Sequence, residues 1–303
     1  MEEFFKILQK QHYKLIGKAG AVKLCTWTKK SLREKGICYK QAFYGIKSHR
    51  CLQMTPYLFC NQRCVFCWRV WEFEKPELPT LYSEPEEIFE ESIKAQRELL
   101  FGLKPIANPK LFEEALNPNQ VAISLDGEPT LYPHLPDLIE IYKKNGFTTF
   151  VVTNGQNPEM LERINPTQLY VSLDSTSEEM YKKVNRPILG ASFNKLMESL
   201  TMLSSLKTRT VVRITLIKGV NADVDGYVKI LEKAQPDFVE IKSYMAVGFS
   251  RNRLGMDFML SHEEIKNFSK IISERTGFKI MNEQPISRVV LLSSGKKPTK
   301  IQI

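Results

Sequence analysis

Residues 51–69 read CLQMTPYLFCNQRCVFCWR. LQMTPYLF (52–59) is an apolar run with strand character, and it leads into a loop carrying Cys60, Cys64 and Cys67. A tight C-x3-C-x2-C loop can turn three thiolates inward on one iron–sulfur cluster, for which Cys is the usual ligand. Three ligands leave one iron with an open position. A structural zinc ion needs a fourth ligand to close its tetrahedron. The next His or Cys after Cys67 is His134, so the spacing favours a cluster.

Outward from this loop, apolar runs alternate with amphipathic ones. Helices are expected over 83–103, where Ser83 and Glu86 have capping-box spacing, over 134–146, from about Glu178, over 193–206, at about 224–234, and over 261–277. Strands are expected over 120–125, 148–153, 168–174, 210–217 and 237–245, with 287–294 either a last strand or an exposed tail. Near-continuous Val/Ile/Leu strands between helices argue for an α/β chain with a parallel sheet covered by helices. A doubly wound sheet and a barrel both fit that order. Polar groups recur at successive strand ends: the cysteine loop, DGEP, TNG, Asp174 and Lys218. Several strands aiming polar groups at one rim fit a barrel-like cup better. The expected divisions are a basic extension over 1–51, a barrel core over 52–245 and a C-terminal extension over 246–303, the last a helix and tail packed on the barrel.

The 303-residue chain has ordinary globular composition, with 43% apolar and 25% charged residues. No apolar run reaches the roughly 18 residues of a membrane span. The charged N-terminus lacks a signal-peptide core, so a cytoplasmic protein with reduced cysteines is expected. The net charge is +9, and residues 1–51, with twelve Lys or Arg and three Glu, carry all of it. A basic patch beside a metal site points to a polyanion, nucleic acid first; a solvated surface that aids solubility is the plain alternative.

C-x3-C-x-aromatic-C after the first strand of a parallel β/α chain, with Phe66 as the aromatic residue, resembles the radical S-adenosylmethionine family. The resemblance covers most of 52–245. It implies a partial (β/α)6 TIM-like barrel and a 4Fe–4S cluster whose open iron chelates S-adenosylmethionine. One-electron cleavage of that cofactor would give a 5′-deoxyadenosyl radical. LDGEPTL (125–131) resembles the family's Gly-Gly-Glu-Pro motif, which receives the cofactor's amino group. Gly127, Glu128 and Pro129 match it, and Asp126 stands where the first glycine is usual. Asn154 and Asp174, at later strand ends, are further cofactor or substrate candidates, although Asn154–Gly155 is also an ordinary turn pair.

Cys25, Cys38 and Cys51 are spaced 13 residues apart, which fits no helix or strand face. Three unrelated buried cysteines, a zinc site using His49, and a second 4Fe–4S cluster are the alternatives, and we read them as the cluster. Three cysteines in a basic segment ahead of a radical barrel resemble the archaeal-type 4-demethylwyosine synthases, enzymes of tRNA wyosine formation. CLQMTPYLFCNQRCVFCWR, AISLDGEPTLYP (122–133), YVSLDS (170–175) and YMAVGFSRNRL (244–254) carry that likeness along nearly the whole chain.

The resemblance implies a lyase-type radical condensation of N1-methylguanosine in tRNA-Phe with two carbons of pyruvate. The adenosyl radical takes hydrogen from the N1-methyl group, the carbon radical adds to the pyruvate carbonyl, the carboxylate carbon leaves, and the guanine amino group closes the ring. A second open iron would chelate the keto acid as a Lewis acid. A separate flavodoxin- or ferredoxin-like electron donor and a monomeric chain are expected. Lys40, two residues after Cys38, is the candidate for a Schiff base or ion pair with pyruvate; a phosphate-contacting lysine is the alternative. Lys23, Lys29, Lys30, Arg33, Lys35, Lys47 and Arg50 are expected to hold tRNA phosphates. Arg251, Arg253, Lys296, Lys297 and Lys300 are expected to extend that surface. Trp68, Tyr39 and Phe43 are candidates for packing on the extruded base, or else core residues. Outside this family, another radical enzyme with an auxiliary cluster, or a zinc-stabilised RNA-binding module without catalysis, would fit.

Overall fold

The computed structural model describes residues 2–73 and 77–301. Ahead of the cysteine loop lie α1 (Glu2–Lys10), a hairpin of β1 (Lys14–Ile16) and β2 (Gly20–Val22), then α2 (Thr26–Ser31), α3 (Tyr39–Tyr44) and β3 (Cys51–Thr55). After it come α4 (Pro85–Phe101), α5 (Pro109–Ala115), β4 (Gln120–Ile123), α6 (Leu135–Lys144), β5 (Thr148–Thr153), α7 (Pro158–Arg163) and β6 (Gln168–Ser172). The chain continues through α8 (Glu178–Val184), α9 (Phe193–Thr201), β7 (Arg209–Leu216), α10 (Val224–Ala234), β8 (Phe238–Ser243), α11 (His262–Thr276), β9 (Lys279–Gln284) and β10 (Val289–Ser293).

Strands β3 to β8 pair in parallel and in chain order, each step crossed by helix. That is the expected α/β half-barrel. The sheet does not close: β2 and β1 extend it antiparallel at one edge, and β10 and β9 at the other. Within 287–294, Val289–Ser293 therefore form a strand, every residue of which is buried, and not an exposed tail. The sequence reading missed β9, whose largely exposed KIMNEQ has neither apolar alternation nor a buried run.

Helix α4 starts differently from expectation. Pro85 occupies its first turn and Glu84 is the cap, with no side-chain cap bond. Proline suits the first helical position, where its fixed φ is already helical and its missing N–H has no partner in the helix. Ser83 instead accepts a hydrogen bond from Lys18 N at 3.0 Å. Helix α11 does carry its capping box, Ser261 with Glu264, and stops at Gly277 in the left-handed region.

The outer face of the sheet packs against the helices through the main core. The inner face is filled from the N-terminal segment. Tyr39, Phe43 and Tyr44 of α3 pack on Phe150, Tyr170, Val211, Phe238, Val289 and Leu291. Tyr44 meets Phe150 and Phe238 edge-on, both with ring centroids 6.0 Å apart. Residues 1–51 thus supply both an edge of the sheet and the plug of its cup. Among the described residues no helix is long and apolar enough to cross a membrane.

Candidate active site

Beyond Thr55 the chain turns at Tyr57, whose carbonyl accepts Thr55 Oγ1 at 2.8 Å, and enters the cysteine loop. The Gly-Glu-Pro turn after β4 lies directly beneath. Gly127 has φ +66°, and a Cβ there would sit 2.1 Å from the Tyr57 carbonyl oxygen. Only glycine allows this approach. Glu128 N donates to the Phe59 carbonyl at 2.9 Å. Its carboxylate, buried and raised in pKa by that burial, is engaged by the chain itself: Thr130 Oγ1 (2.7 Å), Thr153 Oγ1 (2.6 Å) and Asn154 N (2.7 Å). Glu128 therefore ties the second and third rim loops together. Pro129 opens the short 3-10 turn that follows.

The remaining rim contacts hold the sulfurs. Asn154 Nδ2 lies 3.7 Å from Cys60 Sγ and Asn185 Nδ2 lies 3.9 Å from Cys64 Sγ. Gln62 donates to Tyr181 OH at 2.6 Å. Phe66 joins a small apolar cluster with Val184, Ile217 and Tyr244. Arg69 pairs with Asp126 at 3.4 Å, both buried, so the residue replacing the usual first glycine has a charged partner in the cysteine loop. Asp174 accepts a hydrogen bond from Thr215 N at 2.8 Å, and burial pushes its carboxyl up to about 6.

Arg253 departs from expectation. Its Nη1 donates to the Cys67 carbonyl and its Nη2 to the Arg69 carbonyl, both at 2.6 Å; Nε meets Glu72 at 2.7 Å, and the guanidinium stacks 4.4 Å from the Trp71 ring. It clamps the cysteine loop and has no donors left for a tRNA phosphate. Gly248, with φ +57°, completes the clamp, since a Cβ there would stand 2.4 Å from the Trp68 carbonyl oxygen.

All six cysteines are free and retain partial exposure, yet enough protein surrounds the sulfurs to disfavour their thiolates. Burial pushes Cys60 up to about 12 and raises Cys64 and Cys67; Cys60 and Cys64 also feel the sister sulfurs, while Arg69 opposes the rise at Cys67. Such thiols stay protonated and inert until a metal displaces the proton. Among the described residues no three His, Cys, Asp or Glu side chains converge closely enough for one metal ion. Three thiols in one loop are the donor chemistry of an iron–sulfur cluster.

The second trio is built by the N-terminal segment. Cys25 caps α2, Cys38 caps α3, and Cys51 begins β3. Buried Ser48 joins these parts: its Oγ accepts Cys38 N (2.9 Å), its carbonyl accepts Thr28 Oγ1 (3.0 Å), and its N–H donates to Gln41 of α3 (2.9 Å). Burial raises Cys38 to about 12, and the Cys25 charge is the next cause. Cys51 is raised by burial, then by Cys25 and Cys38, so the three sulfurs share one electrostatic neighbourhood. His49 Nε2 meets Glu114 at 2.8 Å, which fixes the ring beside the segment.

Lys40 projects from α3 over the rings of Tyr170 (4.7 Å) and Phe150 (5.2 Å). Burial lowers its pKa, with Arg213 the next cause; Glu240, Cys38 and Cys51 oppose. Arg213 stacks on the same Tyr170 ring at 4.6 Å and pairs with Glu240 at 3.4 Å. Glu240 also accepts Tyr44 OH at 2.7 Å, which anchors α3 to β8. The sequence reading missed Arg213, Glu240 and Lys242. Their signal was charge inside the otherwise apolar strands TVVRITLI and DFVEIKSYM.

Several of the expected phosphate ligands already have protein contacts. Lys23 lies 4.3 Å from the Tyr13 ring and Lys30 4.8 Å from Trp27. Arg33, Arg50 and Arg251 each donate Nε to a carbonyl, of Lys29, Asn117 and Ala246. Lys47 pairs with Glu114 at 3.5 Å. All keep part of their surface in solvent, as do Lys29 and Lys35. The tail lysines sit at the other end of the barrel: Lys297 contacts the Thr208 carbonyl ahead of β7 and Asp237 ahead of β8, away from the rim. Of the aromatic candidates, Tyr39 and Phe43 are core residues, and Trp68 is 38% exposed.

Two family models match this chain: the radical SAM superfamily over residues 54–229 and wyosine base formation over 233–294. The S-adenosyl-L-methionine-dependent tRNA 4-demethylwyosine synthase of Pyrococcus abyssi is 50% identical over 96% of this chain and 88% of its own length. The enzyme of that name from Methanocaldococcus jannaschii is 42% identical over 97% and 96%. A solved structure described as TYW1 with a lysine–pyruvate adduct bound superposes with a TM-score of 0.91, at 42% identity, covering 99% of this chain and 98% of that one. With the motif residues assembled on a half-barrel and the match running end to end, the chain belongs to the radical SAM superfamily and, within it, to the tRNA 4-demethylwyosine synthase family.

Proposed function

We propose that the protein is a tRNA 4-demethylwyosine synthase that joins N1-methylguanosine in tRNA to two carbons of pyruvate. The observation that carries this reading is Lys40, held in the cup beside Cys38 and Cys51 on a different trio from the rim cysteines. Cys60, Cys64 and Cys67 would hold one 4Fe–4S cluster with S-adenosylmethionine, and Cys25, Cys38 and Cys51 a second. Bound there, these groups supply the one-electron chemistry that opens an unreactive C–H bond and a Lewis-acid contact for the keto acid.

The chain's own residues do the rest. Lys40, its ammonium disfavoured by burial, presents a neutral amine to the keto carbon; imine formation there releases one water. Tyr170 and Phe150 wall that amine on the sheet side. Arg253, Gln62 and Asn185 fix the cysteine loop, and Asn154 orients beside Cys60. Trp68 offers the open ring face for an extruded base. The tRNA is tRNA-Phe, gripped by the partly exposed Lys23, Lys29, Lys30, Arg33, Lys35, Lys47, Arg50 and Arg251, and its affinity falls as salt rises. Electrons come from a separate small donor, and the enzyme works as a monomer in the cytoplasm, where its substrate resides.

The test is an anaerobic reaction of reconstituted protein with S-adenosylmethionine, pyruvate and N1-methylguanosine-containing tRNA, read by nucleoside mass spectrometry. Pyruvate-dependent loss of N1-methylguanosine, with about eight irons per chain, is expected. Product formed without pyruvate, or a colourless protein, overturns the reading. Lys40→Arg should bind tRNA and lose turnover.

A further inference from the structure

Lys242 has no part in the assignments above. On β8 it follows Glu240 by two residues, so both point to the inner face. The register agrees: Glu240 lies opposite Arg213, and Lys242 opposite Thr215 on one side and Val289 on the other. Its charge reaches in two directions. It acts on Asp174, at the rim, and it is itself influenced by Lys40 and Cys38 of the second trio.

Three cations, Lys40, Arg213 and Lys242, thus face one another inside the cup. The two nearby carboxylates are already engaged. Glu240 holds Tyr44 and Arg213, and Asp174 accepts Thr215 N. Arg213 also donates to Tyr39 OH at 3.3 Å. The Lys242 backbone serves the sheet, and its side chain has no hydrogen bond and no ion pair among the described residues. Burial, with Arg213 and Lys40, loosens its proton to about 8, while Glu240 and Cys38 act the other way. A half-buried ammonium whose neighbouring carboxylates are bonded elsewhere is stabilised when a further anion arrives. When Lys40 is bonded to a keto carbon, the carboxylate is the next carbon along, and it must find a cation close to Lys40.

We propose that Lys242 binds the carboxylate of the keto acid whose carbonyl carbon Lys40 holds, and so selects charged α-keto acids over neutral carbonyl compounds. This rests on the Lys40 reading above. The neutral methyl ester of pyruvate separates the two ideas, because it keeps the carbonyl for Lys40 and removes the charge for Lys242.

The experiment uses reconstituted holoenzyme, wild type, Lys242→Met and Lys242→Arg. Each is titrated with pyruvate or methyl pyruvate, trapped with cyanoborohydride, and read by the mass of the Lys40 peptide. Turnover against pyruvate is measured in parallel. For Lys242→Met, half-maximal trapping and KM for pyruvate should both rise about 10- to 100-fold, with kcat nearly kept. Methyl pyruvate trapping should not change, and Lys242→Arg should recover most of the loss. An unchanged pyruvate dependence in Lys242→Met, or an equal shift for both compounds, overturns the proposal. If Lys242→Met loses iron, Lys242→Gln is read by the same criteria. Absence of any trapped adduct in the wild type overturns the Lys40 reading itself, and this one with it.

Discussion

Replacing Glu240 with Gln keeps the side-chain volume and deletes the charge on which the cup's polar network turns. The amide oxygen can still accept Tyr44 OH, a 2.7 Å bond in the native chain. The 3.4 Å pair with Arg213 is lost, in a setting where the Glu240 side chain is 0% exposed and Arg213 16%. Breaking a buried ion pair by removing one partner costs about 3–5 kcal/mol. Arg213 keeps some contact with water, so the lower end applies, about 3 kcal/mol. Lys40 and Lys242 would then face Arg213 with less opposing charge. Anaerobic urea denaturation of the apoprotein measures this directly. Adding Arg213→Met to Glu240→Gln removes the orphaned cation, so the double variant should be more stable than Glu240→Gln alone, by about 1–3 kcal/mol. A loss under 1 kcal/mol for Glu240→Gln, or strict additivity in the cycle, would refute the idea that this ion pair stabilises the cup.

Three further outcomes are expected. Gly127→Ala sets a Cβ against the Tyr57 carbonyl and imposes a left-handed residue, which alone costs about 1–2 kcal/mol; iron bound by the Cys60 trio should drop, while iron on the Cys25 trio is kept in a Cys60→Ala background. Asp174 binds its proton more tightly folded (about 6) than at its ordinary 3.8, so its contribution to apoprotein stability is favourable at low pH and declines as pH rises through that window. Wild-type stability minus that of Asp174→Asn should therefore fall by roughly 3 kcal/mol between pH 4 and 7 and then level off, whereas a difference independent of pH would contradict the burial argument. Arg253→Gln should slow S-adenosylmethionine cleavage and leave the salt dependence of tRNA binding unaltered; a shallower salt slope would return Arg253 to the phosphate surface.

The amino-acid order alone carried the parallel β/α frame, because buried strands such as QVAISL and TTFVVT must be apolar on both faces and helices must cap, wind and stop. It also carried the place of the cysteine loop after β3, since Cys60, Cys64 and Cys67 lie within eight residues of one another. The partnerships made at long range were not legible. Arg253 reads as one more surface cation until the chain returns, 186 residues after Cys67, to hydrogen-bond its carbonyl. Glu114 meets His49 across 65 residues, and the cap of α4 falls at Glu84, one residue past the expected Ser83. The cup's filling was hidden for the same reason. Nothing in the spacing of Cys25, Cys38 and Cys51 tells that α3 enters the barrel, because Tyr44 meets Glu240 across 196 residues of chain. Periodicity records which face of an element avoids water; only the folded sheet decides which distant charge waits on the other side of that face.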